Sequence, residues 1–298
     1  MEDIEIFSPV EKISNELLTE KQIELFVKRD DMIHPFISGN KWRKLKYILR
    51  EASEKDKRHL VTFGGAYSNH LLATACAAAK FGFRSTGLVR GEEVSNQTLM
   101  LCSLFGMKLI FTDRESYRYK EELFEKYFKQ DTNAFFINEG GTGTAAVKGC
   151  SELTDELKNK YDHIFCAAGT GTTAAGILSG IERNKFSARL NVVPVLKGAG
   201  FLQEDITALS GSKEFNFHPE YHFGGYAKTE FALIDFIRTF CSSTGILIEP
   251  VYTGKMFYAL YDLIAKDQFA HGSKILAIHT GGLSGIAGME KKFTQTGY

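Results

Sequence analysis

The feature that most constrains the fold is a regular alternation of short β-rich runs with helical patterns, which starts near residue 59. The β-rich runs are 59–63, 84–89, 108–112, 134–138, 163–168 and 190–195. Strands that are separated by helices are joined by βαβ crossovers, which make neighbouring strands parallel. The alternation therefore predicts an α/β fold with mostly parallel sheets.

Helical periodicity between and after these runs supports the same fold class. Apolar residues recur at helical spacing from Leu71 to Ala79, and Gly82 follows as a stop signal. Two more helices and one short buried strand are predicted at 230–240, 253–265 and 274–278.

The charge balance argues against polyanionic partners. Lys plus Arg and Asp plus Glu both total 36, so no net field attracts nucleic acid or an anionic membrane. The first residues are acidic, and no apolar run reaches the ~18 residues of a membrane span. Five cysteines without a C-x-x-C pair are typical of reduced core thiols. We therefore expect a cytoplasmic protein with neither a nucleic-acid nor a membrane partner.

The best candidate for a phosphate-binding loop follows the predicted strand 163–168 and precedes a helical run at 174–181. Its residues are Gly169, Thr170, Gly171, Thr172 and Thr173. Glycines let backbone amides turn toward an anion, and a helix N-terminus adds partial positive charge. A tight turn without a ligand is the simpler alternative.

The same loop also fits the dinucleotide pattern G-x-G-x-x-A, which makes an NADP-binding oxidoreductase the alternative from another class. That pattern requires an acidic residue after the next strand to bind the ribose. Leu196, Lys197 and Gly198 stand there instead. Lys197 suits a 2'-phosphate, so the alternative is weakened but stays open at this point.

A second cluster, 38–46, carries two lysines at the start of a predicted helix. Ser38 is a candidate cap, and Lys41 and Lys44 are three residues apart, so both ammonium groups share one face. Pyridoxal phosphate needs one lysine for an imine and a cation for its phosphate. A solvated basic helix face is the simpler alternative.

A third cluster, 64–70, joins a predicted strand to a helix. Ser68 or Asn69 is a natural N-cap, and both side chains also suit a substrate carboxylate or a cofactor oxygen. His70 is interpreted as structural. His218 and His222 have H-x-x-x-H spacing without a third ligand, so no metal site is predicted.

Together these segments resemble the family of 1-aminocyclopropane-1-carboxylate deaminases and D-cysteine desulfhydrases. Members of that family are pyridoxal phosphate enzymes with the fold of the tryptophan synthase β-subunit, known as fold type II. The resemblance rests on six segments in register, which are 27–31, 39–45, 64–69, 169–173, 250–255 and 279–282.

The resemblance implies a role for each matching residue. Lys41 matches the lysine that holds the cofactor and acts as catalytic base, and Asn69 matches the residue that binds the phenolic oxygen. Lys44 and the loop 169–173 match the phosphate ligands. Catalytic groups beside the substrate are implied at Ser68, Tyr226 and Tyr252, and groups near the pyridine nitrogen at Thr253 and Thr280.

Two of these positions bear on the substrate. Deaminases of the family have a glutamate where this chain has Thr253 and a leucine where it has Thr280. Uncharged hydroxyls favour D-cysteine desulfhydrase chemistry, which releases pyruvate, ammonia and sulfide, because a good β-leaving group needs a shallower electron sink. Cleavage of the cyclopropane amino acid is the alternative. Two departures from the family pattern are a shortened loop at 222–226 and Trp42, which is expected to change the pocket wall.

The resemblance also implies two domains and an assembly. The large cofactor-binding domain is expected to comprise 1–46 and 155–298, and the small inserted domain 47–154. Relatives are homodimers, so a homodimer that acts on a small amino acid is expected.

Overall fold

The computed structural model describes residues 4–286 and 288–294 of the chain. The strands are β1 (Val10–Ile13), β2 (Glu24–Lys28), β3 (His59–Gly65), β4 (Arg84–Arg90), β5 (Lys108–Thr112), β6 (Ala134–Ile137), β7 (His163–Ala168), β8 (Arg189–Pro194), β9 (Phe215–Phe217) and β10 (Lys274–Ile278). The helices are α1 (Glu16–Glu20), α2 (Asn40–Glu54), α3 (Asn69–Phe81), α4 (Gln97–Leu104), α5 (Lys120–Phe128), α6 (Thr144–Ser151), α7 (Thr172–Arg183), α8 (Phe201–Ser210), α9 (Phe231–Thr244), α10 (Thr253–Ala265) and α11 (Glu290–Thr294).

The strands form two separate sheets. The six-stranded sheet has the order β1-β2-β10-β7-β8-β9, and the four-stranded sheet has the order β5-β4-β3-β6. All pairs are parallel except β1 with β2. The predicted α/β fold class with mostly parallel sheets is confirmed.

Strand β7 explains why the large sheet is buried on both faces. Ile164 and Cys166 pack into one hydrophobic core, whereas Phe165 packs into the core on the opposite face. Side chains alternate between the faces of a strand, so a continuous apolar run fills both layers. The helices that cover the two faces hold this sheet as a rigid support for the loops at its edge.

Close helix packing brings the starts of α2 and α7 together through α6. A Cβ at Gly149 on α6 would overlap the carbonyl oxygen of Arg43 on α2. Helix α6 also packs against α7, where Gly176 lies against Cys150. These contacts require small residues at the crossing, and they fix the spacing between Lys41 and the loop before α7.

Most predicted elements lie within two residues of the observed ones. The predicted 71–79 helix extends over α3 and ends at Gly82, which has a φ of 73°. Strands β1, β2 and β9 were not predicted. The division into 1–46 with 155–298 and 47–154 stays a prediction. Across the described residues, no helix is long and apolar enough to cross a membrane.

Candidate active site

A cleft of about 680 Å³ opens where the carboxyl ends of strands from both sheets meet. Gly65 ends β3, Gly169 follows β7, and Thr280 follows β10, and all three line the cleft. Parallel sheets bind their ligands at this edge because the loops there follow strands of fixed geometry. The cleft is therefore the candidate active site.

Lys41 enters this cleft from the first turn of α2. The turn requires a glycine at Gly39, because φ is 58° there and a Cβ would overlap the carbonyl of Thr280. The backbone amide of Asn40 donates to that same carbonyl at 3.2 Å. Ser38 does not cap the helix as predicted, since its hydroxyl points to the carbonyl of Asp31 at 3.5 Å.

The two lysines of α2 both line the cleft, as their spacing predicted. Burial and, to a smaller extent, the nearby positive charge of Lys44 together lower the pKa of Lys41 to about 7. Burial also lowers the pKa of Lys44, whose ammonium donates to the carbonyl of Gly140 at 3.1 Å. A large fraction of Lys41 is therefore a neutral amine near pH 7, which is the form that acts as nucleophile or base.

The loop before α7 offers donors with no side-chain cap. Gly171 is the N-cap of α7 with a φ of 72°, and no side-chain cap is found for this helix among the described residues, which leaves amides of its first turn free. The hydroxyl of Thr173 accepts from the side-chain amide of Asn40 at 2.9 Å. The hydroxyl of Thr172 lies 3.3 Å from the hydroxyl of Thr142 and 3.3 Å from that of Thr170. Thr170 and Thr173 line the cleft, but Thr172 does not.

This donor set fits the phosphate of pyridoxal phosphate. Free amides at a helix N-terminus, threonine hydroxyls and the ammonium of Lys44 together form an anion site. Lys41 lies in the same cleft, within electrostatic range of Lys44. The residues therefore suit a cofactor that carries both a phosphate and an aldehyde.

Ser68 and Asn69 line the opposite side of the cleft at the start of α3. Ser68 is the predicted N-cap, and its oxygen accepts from the amide of Leu71 at 3.3 Å. Asn69 accepts from the hydroxyl of Ser284, and its amide nitrogen lies 2.8 Å from where a Cβ of Gly282 would stand. Only a glycine at that position lets the segment after β10 pass so close to Asn69.

Tyr226 and Tyr252 face one another at the mouth of the cleft. The hydroxyl of Tyr252 donates to that of Tyr226 at 3.4 Å, and the ring centroids are 5.9 Å apart. Burial raises the pKa of both hydroxyls, so both keep their protons near neutral pH. Paired neutral hydroxyls can bind a carboxylate and hold a proton beside it.

The expectation that Trp42 changes the cleft wall is wrong, and the assignment of Thr253 to the cofactor stays a prediction. Thr253 is fully buried behind the cleft, where its hydroxyl donates to Glu249 at 3.2 Å and accepts from the Glu249 amide at 3.0 Å. Trp42 is also fully buried, and its ring stacks on Phe81 at 5.6 Å. Neither residue lines the cleft, whereas Thr280 does.

His70 is a cleft residue that sequence reasoning interpreted as structural. The hydroxyl of Thr62 donates to the carbonyl of Ile137 at 3.0 Å, so it accepts from Nε2 of His70 at 2.8 Å. Nδ1 is then a buried acceptor without a partner among the described residues. Burial holds the pKa of His70 well below its usual range, and the charges of Lys41 and Lys44 act in the same direction.

The motif at 27–31 supports the cleft from behind. Arg43 makes a bidentate pair with Asp30 at 2.6 and 2.7 Å, and Glu156 binds the same guanidinium at 2.8 Å. Asp30 and Arg43 are both almost completely buried. This network anchors α2 two residues after Lys41. It explains the presence of the motif without a catalytic role.

Known proteins are similar to this chain in both sequence and fold. The family model described as pyridoxal-phosphate dependent enzyme matches residues 7–281. A candidate 1-aminocyclopropane-1-carboxylate deaminase of Pyrococcus horikoshii is 33% identical, over 93% of this chain and 90% of the relative. The mitochondrial bifunctional D-cysteine desulfhydrase/1-aminocyclopropane-1-carboxylate deaminase of Arabidopsis thaliana is 30% identical, over 88% of this chain and 73% of the relative. A crystal structure of an ACC deaminase homologue superposes with a TM-score of 0.87 at 30% identity, over 98% of this chain and 94% of that chain.

Proposed function

The chain belongs to the family of pyridoxal-phosphate dependent enzymes, and from this we propose that it eliminates the β-substituent of a small D-amino acid, with D-cysteine as the reference substrate. The products are pyruvate, ammonia and sulfide. Membership in this family confirms the resemblance and rules out the NADP-binding oxidoreductase alternative. The observation that carries the proposal is the amine of Lys41, which burial holds at a pKa of about 7 beside a phosphate-type loop.

The cofactor is held by residues from three helix starts, those of α2, α3 and α7. We assign its phosphate to Lys44 and the loop of Gly169, Thr170, Gly171, Thr172 and Thr173, and its phenolic oxygen to Asn69. Bound pyridoxal phosphate supplies an electron sink for negative charge at the substrate α-carbon. The uncapped start of α7 supports the phosphate position, because its free amides and dipole stabilise an anion.

Lys41 removes the α-proton in this proposal, and the three cleft hydroxyls hold the substrate. A neutral amine accepts a proton, and burial in the cleft favours that form of Lys41 by lowering its pKa. Ser68, Tyr226 and Tyr252 bind the carboxylate or relay a proton, since all three line the cleft and both tyrosines stay protonated.

The side chains near Thr280 favour D-cysteine over the cyclopropane amino acid. The position after Tyr252 is Thr253, and its hydroxyl is bound to Glu249, so no acidic group from that position reaches the cleft. Thr280 lines the cleft with an uncharged hydroxyl. Where a hydroxyl instead of a carboxylate faces the pyridine nitrogen, a substrate with a good β-leaving group is favoured.

The proposal is tested by the rate of keto acid release from D-cysteine, β-chloro-D-alanine, D-serine and the cyclopropane amino acid. We expect kcat/KM for D-cysteine or β-chloro-D-alanine to exceed that for the cyclopropane amino acid by at least about tenfold, or about 1.4 kcal/mol. Borohydride reduction should also attach the cofactor covalently to Lys41. A preference for the cyclopropane amino acid would favour the deaminase alternative, and a protein that binds no pyridoxal phosphate would refute both.

We also propose that the enzyme is a cytoplasmic homodimer. The support is the family resemblance, together with the cysteines, of which Cys76, Cys102, Cys150 and Cys166 are buried as free thiols. Light scattering coupled to gel filtration measures the mass, for which we expect twice the 33.3 kDa of the chain.

A further inference from the structure

Lys255 on α10 is completely buried, yet among the described residues no carboxylate forms an ion pair with it. Its ammonium donates instead to the carbonyl of His222 at 2.8 Å and to the carbonyl of Gly225 at 2.7 Å. Burying an unpaired ammonium costs several kcal/mol, and an apolar side chain would fill the space without that cost. The two charge-assisted hydrogen bonds are therefore a specific use of this lysine.

The two carbonyls belong to a tight turn that also packs on α10 through Phe223, whose ring lies edge-on to that of Tyr258 at 4.9 Å. The backbone at Phe223, Gly224 and Gly225 has positive φ, and the amide of Gly225 donates to His222 at 3.0 Å. The turn ends at Tyr226, whose ring is 44% exposed at the cleft. The turn therefore brings Tyr226 to the cleft, where its ring contacts that of Tyr252.

The helix that carries Lys255 also carries the partner of Tyr226. Tyr252 is the N-cap of α10, three residues before Lys255, so both side chains project from the same end of one helix. Lys255 therefore ties the turn that ends at Tyr226 to the helix that positions Tyr252.

We propose that Lys255 is a positioning residue that clamps the 222–226 turn onto α10 and so sets the hydroxyl of Tyr226 beside that of Tyr252. The consequence for catalysis rests on the function proposed above, because the two hydroxyls then bind the substrate carboxylate together. The clamp itself does not depend on which substrate is used.

The charge of Lys255 depends on pH. Burial lowers the pKa of Lys255 to about 8, while Glu249 raises it and Lys292 lowers it. Above that pH the side chain becomes a neutral amine, whose hydrogen bonds to the two carbonyls are weaker. The turn should open more often as pH rises through about 8.

The first test compares Lys255→Met with Lys266→Met, a matched control because Lys266 follows the same helix but is exposed and pairs with Asp262. Hydrogen exchange of the amides of Gly224, Gly225 and Lys228 should be at least tenfold faster in Lys255→Met and unchanged in the control. Those amides are hydrogen-bonded within the turn. Unchanged exchange in Lys255→Met would overturn the clamp.

The second test asks whether Lys255 acts through Tyr226. We expect Lys255→Met to lower kcat/KM at least tenfold, mainly through KM, and borohydride still to attach the cofactor to Lys41. In a Tyr226→Phe background the same change should cost less than threefold, because the group that it positions is already gone. An equal loss in both backgrounds would refute the positioning role.

Exchange in the unaltered protein keeps the clamp testable if Lys255→Met does not fold. After division by intrinsic rates, protection of the turn amides should fall above pH 8 while that of the α10 amides stays constant. Constant protection of the turn would count against the clamp. If exchange responds as expected but no amino acid is turned over, the proposed function fails and the clamp stands.

Discussion

Replacing Lys41 with methionine should stabilise the cofactor-free protein at low pH. The folded state holds the pKa of Lys41 at about 7, below the usual 10.5, because burial disfavours the ammonium form. The unfolded state therefore binds more protons between these pH values, so the lysine lowers the free energy of unfolding. The penalty is complete below about pH 7 and disappears as pH rises through 10.5.

The size of the gain in unfolding free energy follows from the same difference between the two pKa values. At ~1.4 kcal/mol per pH unit, the difference between 10.5 and about 7 sets an upper limit of about 5 kcal/mol. Lys41 is partly accessible from the cleft, and solvent screening reduces this value to about 2–3 kcal/mol. Lys41→Met should gain this amount at pH 6, about half of it near pH 9, and almost nothing at pH 11, while turnover is lost at every pH.

Urea unfolding of the two cofactor-free proteins at pH 6, 9 and 11 measures the difference directly. Lys266→Met is the control, because that lysine is exposed and ion-paired at the end of α10. Its substitution should change the unfolding free energy by less than about 1 kcal/mol with no gain toward low pH. A gain for Lys41→Met that does not depend on pH, or a loss at pH 6, would refute the assignment of Lys41 as a strained neutral amine.

Three further substitutions test the walls of the cleft. Gly39→Ala should cost at least about 2 kcal/mol in urea unfolding and weaken cofactor retention, because a Cβ meets the carbonyl of Thr280; unaltered retention would contradict this. Trp42→Phe should lower the free energy of unfolding by about 1–2 kcal/mol and leave KM within twofold in steady-state assays, since the ring stacks on Phe81 away from the cleft. A larger change in KM would show that Trp42 is a wall residue. Ser68→Ala should cost about 1 kcal/mol by loss of the α3 cap and also raise KM, whereas an unchanged KM would leave only the cap.

The sequence predicts the buried strands well because each is a continuous apolar run that can be recognised without any tertiary contact. Strands β7 and β10 are apolar over nearly their full length, since helices cover both faces of the sheet. Strand β9 has only three residues at the sheet edge, and β1 has one buried position among its four. Neither has an apolar run that distinguishes it from a loop. Strand β2 precedes the alternation and pairs with β10, which is far away in sequence, so the local pattern does not indicate this pairing.

The direction of a side chain at a helix start is harder to predict than its presence in the site. Lys41 and Trp42 are adjacent in sequence, but about 100° separates neighbouring residues around a helix. Lys41 therefore faces the cleft while Trp42 faces the core. The side chain of Thr253 has a direction that the sequence does not indicate, because its hydroxyl donates to Glu249 at the start of α10. The buried position of Lys255 has no sequence signal, since a lysine is expected at the surface.

The helix starts around the cleft divide into two classes, and this division locates the negative charge of the ligand. Helix α3 is capped by Ser68, and α10 by Glu249, whose carboxylate accepts from the amides at 251–253. Helices α2 and α7 have no side-chain cap in the described part of the chain. The positive ends of these two helices meet beside Lys41 and Lys44, where burial disfavours both ammonium groups. The phosphate of the proposed cofactor, bound there, would satisfy the free amides of α7 and stabilise the charge on Lys44. The same anion would raise the pKa of Lys41, so the neutral amine is most abundant before the cofactor binds, when it must act as a nucleophile.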